Sequence, residues 1–64
     1  MGDEMNAPKT LDLGQDGIFN RKKKVSEEYA QDINEAAKKV KKLGLFTITR
    51  HYDDGWWLYV RKEV

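Results

Sequence analysis

The sequence predicts a small two-layer α+β domain, and three observations lead to that fold class. The middle of the chain, rich in lysine and glutamate, repeats apolar residues at helical spacing. The C-terminal part has two stretches of β-branched and aromatic residues around an Asp-Asp-Gly turn signal, and a shorter alternating stretch precedes the helix. We therefore expect one amphipathic helix, at about 26–43, packed on a C-terminal antiparallel hairpin with strands at about 45–52 and 56–63, beside a short N-terminal strand or hairpin.

The composition predicts one small domain, because 64 residues are too few for two hydrophobic cores. The chain has no cysteine and one histidine, which excludes a disulfide framework and a Cys/His zinc site. Its net charge is +1, so the overall field favours neither nucleic acid nor an anionic membrane, and no apolar run is long enough to cross a bilayer. We expect a cytoplasmic protein without cofactor, metal or membrane contact, with a disordered tail at 1–8 and one domain at 9–64.

The segment before the helix contains a short strand pattern. Leu11 and Leu13 alternate with polar residues, the turn signal Gly-Gln-Asp-Gly follows, and Ile18 and Phe19 come next. This pattern indicates either two very short strands around a four-residue turn or one strand followed by an irregular loop. The basic run Asn-Arg-Lys-Lys-Lys at 20–24 is interpreted as a connector to the helix.

The helix has signals at both ends. Ser26 is a favourable N-cap residue, and Glu27 and Glu28 place negative charge in the first turn, where it complements the helix dipole. Lysines fill the last turns, and Gly44 predicts a stop in the left-handed conformation. The apolar residues fall within an arc of about 140°, so the helix packs with one face. They are Tyr29, Ala30, Ile33, Ala36, Ala37, Val40 and Leu43.

The length of the hairpin turn decides which side chains share a face. A two-residue turn at Asp54 and Gly55 would mix apolar and polar residues on both faces. A three-residue loop that starts at Asp53, with Gly55 in the left-handed region, pairs Tyr52 with Trp56 and separates the two kinds of residue, so we predict this loop. Its inner side then comprises Phe46, Ile48, Trp56, Leu58 and Val60, and its outer side comprises Thr47, Thr49, His51, Trp57, Tyr59 and Arg61.

The outer side of the hairpin is the first candidate for a functional surface. An open sheet face is normally polar, yet the predicted pairing puts His51 opposite Trp57, with Tyr59 and Arg61 on the same side. Aromatic residues and arginine are the usual anchors of protein interfaces, and rings with nearby cations also bind single-stranded nucleic acid. The structural alternative is that these pairs only stabilise the hairpin, or that the N-terminal segment covers them.

The basic run at 21–24 and the few nucleophilic side chains are the remaining candidate features. Arg21, Lys22, Lys23 and Lys24 could contact phosphates, although a run of this kind is commonly a solvated connector. One histidine, no cysteine and a single serine, Ser26 at the helix cap, do not make a nucleophile and base pair. We expect the protein not to be an enzyme.

The sequence thus predicts a small non-enzymatic binding protein, of inhibitor or adaptor type. Its site for a protein partner is predicted at Trp57, Tyr59, Arg61 and His51, with the basic run as a rim. The alternative is a nucleic-acid-binding module that uses the same face. A third hypothesis is a structural subunit that self-associates through a strand edge, because residues 44–52 are apolar and nearly uncharged.

Overall fold

The computed structural model describes residues 6–62 and confirms the fold class. The elements are β1 (Thr10–Asp12), β2 (Ile18–Val25), α1 (Glu27–Lys39), α2 (Lys41–Phe46), β3 (Thr47–Tyr52) and β4 (Gly55–Arg61). The four strands form one antiparallel sheet in the order β1-β2-β4-β3, and the main helix packs against the C-terminal hairpin. A short 3-10 turn lies between the first two strands.

Residues 10–25 form a hairpin whose second strand is longer than predicted. Leu11 of β1 pairs with Phe19 of β2, on either side of the Gly14–Asp16 turn. β2 then continues through the basic run and pairs with β4. The prediction of a connector at 20–24 is therefore wrong, because pairing to a neighbouring strand outweighs the low strand propensity of lysine.

The helix begins where predicted and ends early. Ser26 is the N-cap, and its hydroxyl accepts a hydrogen bond from the backbone N–H of Tyr29 at 3.1 Å. Val40 is extended (φ −116°, ψ 98°) and separates α1 from α2. The left-handed stop at Gly44 is wrong, since Gly44 lies inside α2, where an added Cβ would lie 3.4 Å from the Cβ of Ala37. The glycine instead permits a close approach between the two helices.

The predicted three-residue loop of the C-terminal hairpin is also wrong. Tyr52 pairs with Gly55 across the two-residue turn Asp53-Asp54. Gly55 has the predicted positive φ, 118°, but it is the first residue of β4. An added Cβ there would lie 2.7 Å from Cε of Lys24, so Gly55 lies against β2 as part of the sheet. That contact comes from a distant part of the chain, which the hairpin sequence alone does not show.

The one-residue change in register reverses the faces of β3 relative to β4. Thr49 now pairs with Leu58 and Ile48 with Tyr59, and directly paired residues share a face. The hydroxyl of Thr49 donates to Oδ1 of Asn34 in α1 at 2.9 Å, which identifies the side that carries the helix. This helix face comprises Asn20, Lys23, Val25, Thr47, Thr49, His51, Trp56, Leu58 and Val60. The outer face comprises Phe19, Arg21, Lys24, Ile48, Arg50, Tyr52, Trp57, Tyr59 and Arg61.

Buried residues lie on both faces of the sheet. Ala30 and Leu58 are buried on the helix side, and Phe19 and Tyr59 are buried on the outer face. Phe46, which was predicted in the core, is 49% exposed because it ends α2 instead of beginning a strand. The outer face is therefore not an open, solvated surface along its whole length.

The first described residues cover part of the outer face. Ala7 is buried, and its carbonyl accepts a hydrogen bond from Nη1 of Arg21 at 2.8 Å. The carbonyl of Pro8 accepts one from the hydroxyl of Tyr59 at 2.7 Å. The tail predicted at 1–8 therefore differs from the structure at Ala7 and Pro8, which pack on the domain, and its residues 1–5 lie outside the described part of the chain.

Candidate functional site

The residues predicted from the sequence as a partner site are divided between the two faces. Trp57, Tyr59 and Arg61 share the outer face, and the basic run adds Arg21 and Lys24 to it. The other three predicted residues do not join them. Lys23 and His51 lie on the helix face, and Lys22 lies unpaired at the irregularity in β2.

His51 and Trp57 were predicted opposite each other, and that pairing is wrong. The register places His51 against Trp56, and the two ring centroids are 4.8 Å apart with the planes tilted by 33°. Arg61 pairs with Phe19 near the opposite end of β4 from the turn. Neither His51 nor Arg61 therefore belongs to the immediate surroundings of Trp57.

Tyr59 is a core residue in this structure. Its side chain is 0% exposed, its hydroxyl is bonded to Pro8, and its ring centroid is 6.4 Å from that of Tyr52. Burial raises the pKa of the Tyr59 hydroxyl far above its ordinary value of 10.0, and the neighbouring Tyr52 raises it further. The ring is closed off by the N-terminal segment, and a partner that docks on this conformation does not touch it.

Three cationic side chains surround Trp57, which is partly exposed. Lys24 and Arg50 are its direct cross-strand neighbours on β2 and β3. The guanidinium carbon of Arg21 lies 4.8 Å from the centroid of the indole ring, within the range of a cation–π contact. We call these four residues, Trp57 with Arg21, Lys24 and Arg50, the Trp57 cluster.

An irregularity in β2 brings two of these cations to one face. Arg21 and Lys24 are three residues apart, so a regular strand would point them to opposite sides of the sheet. The register shifts between Arg21 and Lys23, and this bulge adds the one residue that returns Lys24 to the side of Arg21. The absence of a side chain at Gly55 leaves room for the stem of Lys24 beside the turn.

Arg50 is the functional candidate that the sequence reasoning missed. The predicted loop set Arg50 opposite Leu58 on the inner side, whereas the observed turn sets it opposite Trp57. The Asp-Asp-Gly sequence would have placed Arg50 beside Trp57 if the turn had been taken as the two residues Asp53 and Asp54. Because Arg50 is exposed, it adds accessible positive charge to the outer face.

The electrostatics of the Trp57 cluster favour an anionic contact. The contacts of Arg21 are the carbonyl of Ala7 and the indole ring, and neither group carries a formal negative charge. Cations gathered around an aromatic ring raise the local positive potential even though the net charge of the chain is only +1, and the carboxylates of the adjoining turn, Asp53 and Asp54, offset part of that potential. Nε1 of Trp57 is also buried without a hydrogen-bond acceptor among residues 6–62. The cluster therefore presents positive charge, while the indole donor stays closed to a partner in this structure.

Other kinds of site have less support in the structure. A pocket of about 150 Å³ lies at the end of the sheet where β2 and β3 begin, between Phe19, Ile48 and Leu45, and it is smaller than the usual ligand sites of about 300–1,000 Å³. A more open depression of about 320 Å³ lies along α1, but its lining is polar and charged, unlike the mostly apolar lining of ligand pockets; it comprises Gln31, Asp32, Asn34, Glu35 and Lys38. Within residues 6–62, no group of three or more His, Asp or Glu side chains is arranged to hold a metal ion. None of the helices described between residues 6 and 62 has the length and apolar character needed to cross a membrane.

Comparison of the chain with protein-family models, with curated proteins and with solved structures gives no match.

Proposed function

We propose that this protein is a small, non-enzymatic, cytoplasmic binding protein, of inhibitor or adaptor type, that holds an acidic surface of a protein partner at the Trp57 cluster. The observation that carries the proposal is the convergence of Arg21, Lys24 and Arg50 around one partly exposed indole. Tryptophan and arginine are the residues that most often dominate the binding energy of protein interfaces.

Part of the cluster is already ordered before a partner arrives. Arg21 is held by the carbonyl of Ala7 and by the ring of Trp57, so little of its side-chain freedom remains to be lost on binding.

The same geometry favours a protein partner over nucleic acid. Sheet surfaces that bind single strands stack successive bases on several exposed rings. Here Tyr59 is fully buried, and Arg21 already lies over the ring of Trp57. The basic run is a strand, so its charges are also divided between the two faces, with Lys23 on the helix side beside Tyr29.

A titration with two defined probes tests the proposal. The variant Trp56→Phe leaves Trp57 as the sole tryptophan, and its fluorescence is followed while a glutamate-rich peptide or single-stranded oligothymidylate is added at two salt concentrations. We expect the acidic peptide to shift the emission of Trp57 and the effect to weaken with added salt.

Matched charge reversals connect that signal to the cluster. The double variant Lys24→Glu with Arg50→Glu should abolish the response to the peptide. The control, Lys38→Glu with Lys39→Glu, changes the net charge equally on the exposed end of α1 and should retain more than half of the affinity. Equal losses in both variants, or no response to the peptide, would contradict the proposal. Tighter binding of the oligonucleotide than of the peptide would support the nucleic-acid alternative.

A further inference from the structure

β3 is an open edge of the sheet within residues 6–62. The strand order ends at β3, with β4 on its inner side and no described strand on its outer side. Natural edge strands are generally protected by charged side chains, especially lysine, by proline or by a bulge. β3, Thr-Ile-Thr-Arg-His-Tyr, has no lysine or proline, Arg50 is its one residue with a fixed charge, and its pairing with β4 shows no irregularity. The N-terminal hairpin extends the opposite side of the sheet, so it leaves this edge free.

The hydrogen-bond pattern shows which backbone groups of β3 face outward. The amide of Lys62 donates to the carbonyl of Ile18 at 2.7 Å, so Lys62 and every second residue before it bond towards β2. Tyr59, one of the alternate residues, therefore bonds towards β3, where its partner Ile48 bonds back. The residues that point their amides and carbonyls to the open edge are Thr47, Thr49 and His51.

One of these outward groups is already satisfied inside the chain. The amide of Thr47 donates to the carbonyl of Leu43 in α2, so this amide points away from β4. The carbonyl of Thr47 and both backbone groups of Thr49 and His51 remain directed to the edge. These groups form a row that a strand of suitable register can bond.

We infer that β3 pairs with β3 of a second copy of this chain, antiparallel and centred on Thr49. A two-fold axis perpendicular to the sheet relates the copies, so Thr49 lies opposite itself and exchanges two backbone hydrogen bonds with its counterpart. The amide of His51 then donates to the carbonyl of Thr47 in the partner copy, on each side of the axis. Two four-stranded sheets become one continuous sheet.

Charge selects this register among the alternatives. Centring on Arg50 would place two arginines directly opposite each other, which is unfavourable. Centring on Ile48 would place Arg50 opposite Phe46 and leave His51 beyond the paired strand. Centring on Thr49 sets Arg50 opposite Ile48 and uses the whole length of β3.

The chain carries positive charge just before β3 and negative charge just after it, and this favours a second copy over a different partner. The strand begins after α2, which carries Lys41 and Lys42, and ends at the turn formed by Asp53 and Asp54. Antiparallel pairing brings the acidic turn of each copy beside the basic helix of the other, whereas parallel pairing would bring like charges together.

Pairing with a second copy also explains why apolar side chains are exposed at the start of β3. Phe46 and Leu45 are 49% and 53% exposed, which is unusual for large apolar side chains that lie next to each other. In the register centred on Thr49, Tyr52 of the second copy lies opposite Phe46. The inference is independent of the proposed function, because it uses the edge of the sheet and not the Trp57 cluster.

Single cysteines test the register directly, because the chain has none of its own. Thr49→Cys places two thiols at the self-opposed position, where Cα atoms about 5.5 Å apart allow a disulfide. His51→Cys is the matched control, since its copies lie four residues out of register and cannot be bridged. Under mild oxidation we expect a covalent dimer from Thr49→Cys, none from His51→Cys alone, and a mixed dimer from His51→Cys with Thr47→Cys. Equal cross-linking of Thr49→Cys and His51→Cys alone would overturn the register.

Sedimentation of the unmodified chain over a range of concentrations tests the association without any variant. We expect a reversible dimer, and a strict monomer at every concentration would overturn the inference. Phe46→Ser should raise the dimer dissociation constant roughly tenfold, because the exposed ring loses its buried contact. The control Ile18→Ser removes a residue that is 42% exposed on β2, away from the edge, and should leave the constant within about twofold. Equal effects of the two changes would contradict the assigned surface.

Discussion

The hydroxyl of Tyr59 donates a hydrogen bond to the carbonyl oxygen of Pro8 at 2.7 Å, between residues 51 positions apart in the chain. This bond fixes the N-terminal segment across β4 and closes the outer face over Tyr59. Arg21 repeats the arrangement on the neighbouring strand by donating to the carbonyl of Ala7. Trp57 lies two residues before Tyr59 on the same face and remains partly exposed. The outer face thus has a covered part and an accessible part.

Removal of the Tyr59 hydroxyl should destabilise the fold modestly. Tyr59→Phe keeps the buried ring and loses the bond to Pro8, so the free energy of unfolding in urea should fall by about 1 kcal/mol. Tyr29→Phe is the control, because Tyr29 is 42% exposed on α1, and its change should stay within about 0.5 kcal/mol. Equal changes in the two variants would show that the Pro8 contact does not contribute.

The stability of the protein should depend on the Tyr59 hydroxyl at high pH. Burial raises the pKa of this group in the folded state above the 10.0 of an exposed tyrosine. The folded state therefore keeps a proton that the unfolded chain releases, and the contribution is complete below pH 10.0 and is lost as the pH rises above it.

Urea unfolding of the unmodified chain and of Tyr59→Phe between pH 8 and pH 11, roughly the range in which tyrosine begins to ionise, checks this dependence. We expect the free energy of unfolding to fall more steeply above pH 10 in the unmodified chain, because lysines titrate equally in both. Parallel curves for the two proteins would contradict the buried state of Tyr59.

The packing of the N-terminal segment can be tested at Ala7, which is 4% exposed. Ala7→Glu would bury a carboxylate on the outer face and should reduce the free energy of unfolding by about 3 kcal/mol. Asn6→Glu adds the same charge at the exposed neighbouring position and should change it by less than about 0.5 kcal/mol. A tolerated Ala7→Glu would mean that residues 7 and 8 do not pack on the sheet.

The cap of α1 gives a local prediction. The hydroxyl of Ser26 accepts a hydrogen bond from the amide of Tyr29, so Ser26→Ala should lower the free energy of unfolding by about 1 kcal/mol. Ser26→Asp keeps an acceptor at the N-cap and should restore most of that loss, as measured by thermal or urea unfolding. No difference between the two variants would argue against this capping bond.

Local signals explain why parts of the fold could be predicted from the sequence. The N-cap at Ser26 and the positive φ of Gly55 depend on neighbouring residues, and both are as expected. The four-stranded extent of the sheet was not predicted, because β2 contains the lysine run and is stabilised by pairing with β4. Strand propensity is too weak to reveal such a strand without its neighbours.

Non-local contacts explain why the candidate site was predicted only in part. Lys24 of β2 lies against Gly55, which begins β4 in the observed hairpin register. This register places Arg50, rather than His51, beside Trp57. The bulge after Arg21 decides that Arg21 and Lys24 share a face. The burial of Tyr59 requires the distant Pro8. The sequence shows which residue types the surface contains, and the pairing of the strands decides which of these residues lie together on it.

The binding role of the Trp57 cluster can be measured within one molecule, because the two tryptophans lie on opposite faces of the sheet. In a 15N-labelled sample, the indole N–H resonances of Trp56 and Trp57 are followed by NMR while a glutamate-rich peptide is added. We predict that the Trp57 resonance shifts in a saturable, salt-sensitive way and that the Trp56 resonance stays in place. A shift of Trp56 equal to that of Trp57, or no shift of either, would contradict the account.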